Sequence, residues 1–442
     1  MTKNHKPKAI NQKPETKNQQ LKTNNLKVLE LSQIKLNKGD VGIWIVFFCL
    51  CIISIVEVFS ASSELTYKSG DYLGPVFKHV SLLIVGIICM IGVSNVQCKY
   101  FKLVTPLVLG AAAVSLVLVW LLGESTNGAS RWINIAGIQY QPSELAKGAT
   151  VLAVAQILSA MQTPSGADKR AMKYILWVSV PICILIFFEN FSTALLLAVV
   201  VFCMMIIGGI SWRQMAPVIG VVVGLAAIFL VAVLAFGTVE EPEKNDGLTL
   251  TEQVAEKSEP SFFGKVFHRF GTWKKRILKF TDDTEVKPED FDLDEDGQVG
   301  HANIAIVNSN GVGVGPGNSV QRDFLSQAFS DFIFAIIIEE LGLEGAIFVC
   351  MLYIILLFRV ARIANRCENS FPAFLAMGLA LMLSSQAMFN MMVAVGLGPV
   401  TGQPLPLISK GGTSTILNCI YLGMILSVSH SAKKNPALEN AI

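Results

Sequence analysis

An all-α polytopic membrane protein, with about ten transmembrane helices and one large extracytoplasmic loop, is the fold class this sequence predicts. Apolar runs of 17 or more residues recur along the chain, and each can cross roughly 30 Å of hydrocarbon. The segments between them alternate in Lys and Arg content, which sets orientation. Hydrophobic residues make up 52% of the chain and charged residues 15%, with a mean hydropathy of +0.54. That composition excludes an ordinary soluble domain.

Residues 1–40 hold nine Lys against three acids and read as a disordered basic tail. The first apolar run starts too far from the N-terminus to be a signal peptide. Spans are expected near 42–62, 77–95, 103–122, 144–160, 174–189, 191–210 and 215–236, so seven helices fill 41–236. The fifth and sixth meet at the short polar break Glu189-Asn190, which must form a tight hairpin. A loop follows at 237–330, then spans near 332–358, 373–396 and 411–430, and a tail at 431–442. Lys99, Lys102, Lys169, Arg170, Lys173, Arg213, Arg359, Arg362, Arg366, Lys433 and Lys434 all fall on one side if the count is even. Both termini are then cytoplasmic in a multi-pass protein of the cytoplasmic (inner) membrane, and the long loop faces outward.

That loop has three parts. Residues 240–259 are acidic and poorly patterned. Phe263, Val266, Phe267, Phe270, Trp273, Ile277 and Phe280 then recur at helical spacing opposite Lys265, Arg269, Lys275 and Lys279, with Arg276 at the border. This amphipathic helix suits the lipid headgroup layer. The run 292–297 copies the opening of an EF-hand loop but has Asn303 where the bidentate Glu belongs, so it reads as an acidic turn. Last comes a stretch with glycines at alternate positions, Gly311 to Gly317, whose backbone can approach a ligand closely. The nine Cys lie in or beside apolar segments without a CxxC pair, which argues against disulfides and zinc.

Charged residues at the entrances of apolar helices mark the candidate site. Glu144 and Lys147, three apart, share one helix face, and Asp331 opens the run 332–338. Such groups are costly in a membrane and signal function.

Four ordered blocks then resemble the SEDS (shape, elongation, division and sporulation) family of FtsW and RodA. They are Gly128-Ala129-Ser130-Arg131-Trp132-Ile133 with Gln141-Pro142-Ser143-Glu144-Leu145-Ala146-Lys147; Gly313 to Gln321; Asp331-Phe332-Ile333-Phe334-Ala335 with Glu339-Glu340-Leu341-Gly342; and Pro399 to Gly412. The resemblance runs from about residue 40 to 430 and is closer to the division members. It implies a peptidoglycan glycosyltransferase that joins lipid II disaccharides and releases undecaprenyl diphosphate, with Asp331 as catalytic base and Glu144 and Lys147 as its partners. It implies substrate contacts at Arg131, Ser143, Asn318, Ser319, Gln321 and Ser409. The implied partners are a class B penicillin-binding protein, other division proteins and membrane lipids, with no nucleic acid.

The residue types suit that chemistry. The acceptor hydroxyl must lose a proton, so a carboxylate base is needed, and Lys147 would keep Asp331 ionised by proximity. Arg131, Arg276 or a divalent cation (Mg or Mn) would take the departing diphosphate. Three positions depart from the family pattern. Gln327 to Ser330 replace a segment with an acid and a His, Asn190 replaces an Asp, and Lys410 stands where Tyr is usual. A lipid II flippase and a non-catalytic scaffold for a transpeptidase are the alternative readings.

Overall fold

The structure is a computed structural model that describes residues 39–61, 74–122, 124–126, 129–135, 138–164, 166–236, 271, 274, 297–325 and 328–432. The basic tail to residue 38, the acidic segment 240–259, most of the amphipathic stretch with Arg276, the acidic turn to 296, and the pair Ser326-Gln327 lie outside the described residues.

Among the described residues, ten long apolar helices build one bundle: α1 (Val41–Ala61), α2 (Gly74–Ser94), α3 (Cys98–Leu122), α4 (Pro142–Ala160), α5 (Ala171–Glu189), α6 (Phe191–Ile207), α7 (Trp212–Phe236), then, after the short α8 (Gly297–Asn308), α9 (Ile333–Ala364), α10 (Ser370–Ala394) and α11 (Thr413–Ser431). Helices are what apolar chain must form where no water can satisfy the backbone. Seven are long and apolar enough to cross a membrane. The others are α4, α6 and α11; α6 has only 17 residues. Polar residues inside α4 and α11, such as Thr150 and Asn418, are buried against protein. These two helices therefore sit where lipid does not reach, and their lower hydropathy follows. The core gathers around them: α11 lies along α2, while α10 packs on α4, α6 and α9. More than half of α10 is buried, whereas α7 is almost wholly exposed.

The segment between α3 and α4, for which the sequence reading gave no structure, is a small antiparallel meander, β1 (Glu124–Thr126), β2 (Ala129–Ile135) and β3 (Ile138–Tyr140). Asn134 lies opposite Gln139 in its register. A two-stranded ribbon, β4 (Gln162–Thr163) and β5 (Gly166–Ala167), follows α4.

The expected tight hairpin between α5 and α6 is present, and a single residue makes it. Asn190 is extended (φ −154°, ψ 105°), and its side-chain oxygen accepts from the backbone N–H groups of Ser192 (3.0 Å) and Thr193 (3.4 Å). It caps α6. Replacing this Asn by Ala should lower stability by about 1 kcal/mol, read as a lower thermal midpoint in detergent, and Asn190→Asp should restore it.

α9 is broken near its start. Gly342 (φ 69°, ψ −171°) separates a short leading half from the rest. The break strands backbone groups that must be paired inside a membrane protein, and the Gly-rich run pairs them. Val314 N–H donates to Glu339 C=O (2.9 Å), Gly315 N–H to Glu340 C=O (2.9 Å), and Leu343 N–H to Gly311 C=O (2.9 Å). A Cβ on Gly313 (φ 89°) would lie 2.4 Å from the Glu340 carbonyl oxygen. Gly313 therefore permits a close approach of this run to α9. Gly313→Ala should cost about 2–5 kcal/mol, combining backbone strain with overpacking. A thermal midpoint within a degree of the parent would refute this packing.

Candidate active site

Glu144 and Lys147 project inward from the first turns of α4 and are fully buried. Pro142 starts the helix, where its missing N–H costs nothing. The Lys147 ammonium donates to Glu144 Oε1 (2.8 Å) and to Gln386 Oε1 (2.6 Å) on α10. Gln386 in turn donates to the Pro404 carbonyl (3.0 Å). Tyr421 of α11 donates to the Glu144 carbonyl (2.7 Å). Ser143 is buried beside this pair, and its hydroxyl and Glu144 Oε2 have no hydrogen-bond partner among the described residues.

Asp331 stands half-buried two residues before α9, at the positive end of its leading half. Its Oδ1 accepts from the Ser330 hydroxyl (3.1 Å). Asn390, one helical turn beyond Gln386 on α10, donates from its amide to the Asp331 carbonyl (2.8 Å) and to the Gln403 carbonyl (2.7 Å). Lys147 therefore reaches Asp331 through α10, in place of the direct pairing expected from the sequence.

The segment 399–412 completes the support. Ser409 donates to the Ser330 carbonyl (2.6 Å) and accepts from Leu405 N–H (2.7 Å), and Lys410 N–H donates to the Phe329 carbonyl (3.0 Å). Gln403 donates to Thr193 on α6 (2.5 Å), and Tyr353 donates to Pro406. Leu407 is held at φ 69°, a costly conformation for a non-glycine residue. It persists because the bonds on both sides leave the segment no alternative.

A second cluster lies beside the break in α9. Glu339 accepts from the Ser319 hydroxyl and from Val320 and Gln321 N–H (both 3.3 Å). Glu340 accepts from Ser60 and from Gly317 N–H (2.8 Å), with Arg322 Nη1 at 3.9 Å. Arg322 also donates to Ser60 Oγ (2.8 Å) and the Gly317 carbonyl (2.7 Å). Two buried carboxylates are thus satisfied by a loop rich in N–H groups and one arginine, as buried charge requires. Gln321 is itself held by His301 Nδ1–H (2.8 Å), and Asn318 donates to Val314 C=O (3.1 Å).

The structure therefore brings Glu144, Lys147, Asp331 and Ser409 into one hydrogen-bonded web, and Ser319 and Gln321 into a neighbouring one. Arg131 falls in β2, and Arg276 is outside the described residues. Gln386, Asn390 and Gln403 were not singled out from sequence. A signal existed for the first two, polar residues four apart inside an apolar span. Among the described residues no group of three or more His, Cys, Asp or Glu gathers to hold a metal ion.

The sequence profile of the cell cycle protein family that groups FtsW, RodA and SpoVE matches residues 41–434. The chain belongs to this family. A similar relative is the probable peptidoglycan glycosyltransferase FtsW of Coxiella burnetii, 28% identical over 88% of this chain and 96% of the relative. Another is the peptidoglycan glycosyltransferase MrdB of Escherichia coli K12, 26% identical over 89% of this chain and 94% of the relative. Among solved structures, a chain of a peptidoglycan synthase complex that coordinates polymerization and crosslinking superposes with a TM-score of 0.65. It is 22% identical and covers 90% of this chain and 99% of its own. The crystal structure of Thermus thermophilus RodA gives a TM-score of 0.58 at 22% identity, over 90% and 98%. The match extends over the whole described bundle, so this family member shares its relatives' multi-pass architecture.

Proposed function

We propose that this chain is a peptidoglycan glycosyltransferase that polymerises lipid II at the outer face of the cytoplasmic membrane during cell division, with Asp331 as general base. The observation that carries the reading is the placement of Asp331. Its backbone is clamped by α10 and by the segment 399–412 while its carboxylate stays half-buried at a helix entrance. A general base needs that combination of fixed position and access. The names of its relatives supply the reaction class, peptidoglycan glycosyl transfer.

In the reaction, the acceptor sugar hydroxyl attacks the anomeric carbon of a lipid-linked sugar, and its proton passes to Asp331. The bond from that carbon to the phosphate oxygen breaks, and undecaprenyl diphosphate leaves. One displacement inverts the centre, so no second nucleophilic carboxylate is needed. Glu144, Lys147, Gln386 and Asn390 act as positioning residues for Asp331.

Orientation rests on charge. Arg359 pairs with Asp40 (3.0 Å) at the end of the bundle opposite Asp331. That end also carries Lys99, Lys102, Arg170 and Arg213, as a cytoplasmic face would. Both termini are then cytoplasmic. A class B penicillin-binding protein is the proposed partner, and the exposed stripe Ile347, Met351, Ile354 and Phe358 on α9 offers an apolar face for a membrane helix.

The test is incubation of the purified protein and its transpeptidase with fluorescent lipid II. Glycan strands resolved on a gel are the expected result. Transbilayer movement of lipid II in vesicles without polymer would replace this reading with the flippase.

A further inference from the structure

At the far end of α4 from Glu144, a cavity of about 460 Å³ opens beside the β4–β5 ribbon. It is lined by Asp168, Lys169 and Arg170 before α5 and by Gly209, Ser211 and Gln214 around the start of α7. Asp168 is the one carboxylate in that lining, and its Oδ1 accepts from the Arg170 backbone N–H (2.8 Å). Against it stand Lys169 and Arg170, with Arg213 between two lining residues and Lys173 in the first turn of α5. The ion pairs of the described residues include none of these four cations. The recess therefore carries an excess of positive charge, which favours an anionic occupant.

Two observations point to a lipid headgroup in place of a free anion. Arg170, Lys173, Tyr174 and Trp177 follow one another at i, i+3, i+4 and i+7, and all four are exposed, Trp177 at 79%. Cations and then aromatic rings along one stripe mark the passage from the headgroup layer into hydrocarbon. Trp212, exposed beside Arg213, repeats that pairing at the start of α7. The second observation is α7 itself, which is almost wholly exposed. Its first turn is tied to its neighbours by Gln214, which donates to the Lys169 carbonyl (3.1 Å), and by the Trp212 ring against Phe202 (6.3 Å between centres). A phosphate shared by Lys169, Arg170 and Arg213 would join α5 to α7 where the chain does so sparsely.

We propose that this cavity is a site for the headgroup of an anionic phospholipid, whose phosphate takes Lys169, Arg170 and Arg213. The Ser211 hydroxyl adds a neutral donor, and Asp168 accepts from a headgroup hydroxyl, so a phosphoglycerol suits the recess. The acyl chains lie along the exposed apolar faces of α5 and α7, such as Val221 and Leu225. The lipid fastens α7 to α5 at the end of the bundle remote from Asp331. This inference stands independently of the glycosyltransferase reading and of which leaflet faces the cytoplasm.

The experiment is native mass spectrometry of the full-length chain in detergent, with thermal midpoints measured in parallel. The probes are phosphatidylglycerol, phosphatidylcholine with the same acyl chains, and inorganic phosphate. Phosphatidylglycerol should bind the parent more tightly than phosphatidylcholine and raise its thermal midpoint. The triple variant Lys169→Gln/Arg170→Gln/Arg213→Gln should bind it about a hundredfold more weakly, and Arg213→Gln alone about fivefold, a factor of about five for each cation beside an anionic headgroup. All three side chains are exposed, so the variants should keep the parental midpoint in lipid-free detergent. The control Lys99→Gln/Lys102→Gln changes exposed cations at the same end, outside the cavity, and should bind as the parent does. Parental binding by the triple variant would overturn the inference. An equal loss in the control would also overturn it, leaving diffuse attraction to a basic surface. A midpoint rise with inorganic phosphate equal to that with phosphatidylglycerol would leave an anion site and remove the lipid.

Discussion

Asp331→Asn should lower lipid II polymerisation by about 10²- to 10⁴-fold, the range a positioned general base contributes, while leaving the thermal midpoint unchanged. The second half of that expectation follows from geometry. Two of the bonds that hold this segment come from Asn390 to the Asp331 carbonyl and from Ser409 to the carbonyl of Ser330. Both are main-chain contacts that an isosteric side chain leaves in place. The Ser330 hydroxyl can still donate to the remaining side-chain oxygen. What disappears is the proton acceptor. Polymer formation at the parental rate, with the fold intact, would move the base to another carboxylate.

Lys147→Met should be the most destabilising single change at the site, at about 3–5 kcal/mol, because it leaves an uncompensated buried charge on Glu144. The pair is fully buried at 2.8 Å, and Gln386 satisfies a further ammonium hydrogen. Removing the lysine also frees Gln386, which orients the face of α10 that carries Asn390. Activity should therefore fall with stability even though Lys147 does not contact Asp331 directly. The double variant Glu144→Leu/Lys147→Met separates the two effects. It should regain most of the thermal midpoint, since two apolar residues of similar volume replace a buried ion pair, yet recover little polymerisation. Equal losses in the single and double variants would argue against a charge-based cause.

Much of the architecture was legible in the sequence because a membrane simplifies the code. Apolar runs gave the ten long helices of the described residues with ends within six residues, and the hairpin at Glu189-Asn190 followed from one polar break. The meander was missed: β1 and β3 have three residues each, too short for an alternating pattern to rise above chance. The site was legible at Glu144, Lys147 and Asp331, where charge meets apolar sequence. Its connections were not. Lys147 and Gln386 are 239 positions apart, and periodicity carries no information about such pairing. The Gly-rich run was read as a place of close approach, and its contact with α9 was not foreseen. Nothing local indicates that α9 breaks at Gly342. Asn190 teaches the reverse lesson, since a departure from the family pattern still leaves a residue type able to cap α6.

The break at Gly342 also has a mechanical side. From Leu343 to Ala364 the longer half of α9 spans about 33 Å at 1.5 Å per residue, close to the thickness of the hydrocarbon layer. Every residue from Phe332 to Glu340 is buried within the protein. Stretching, thinning or tilting imposed by lipid therefore acts on the long piece, and the joint at Gly342 is braced by the backbone bonds of Gly311, Val314 and Gly315. The short piece that carries Asp331 rides on protein alone, insulated from the bilayer around it.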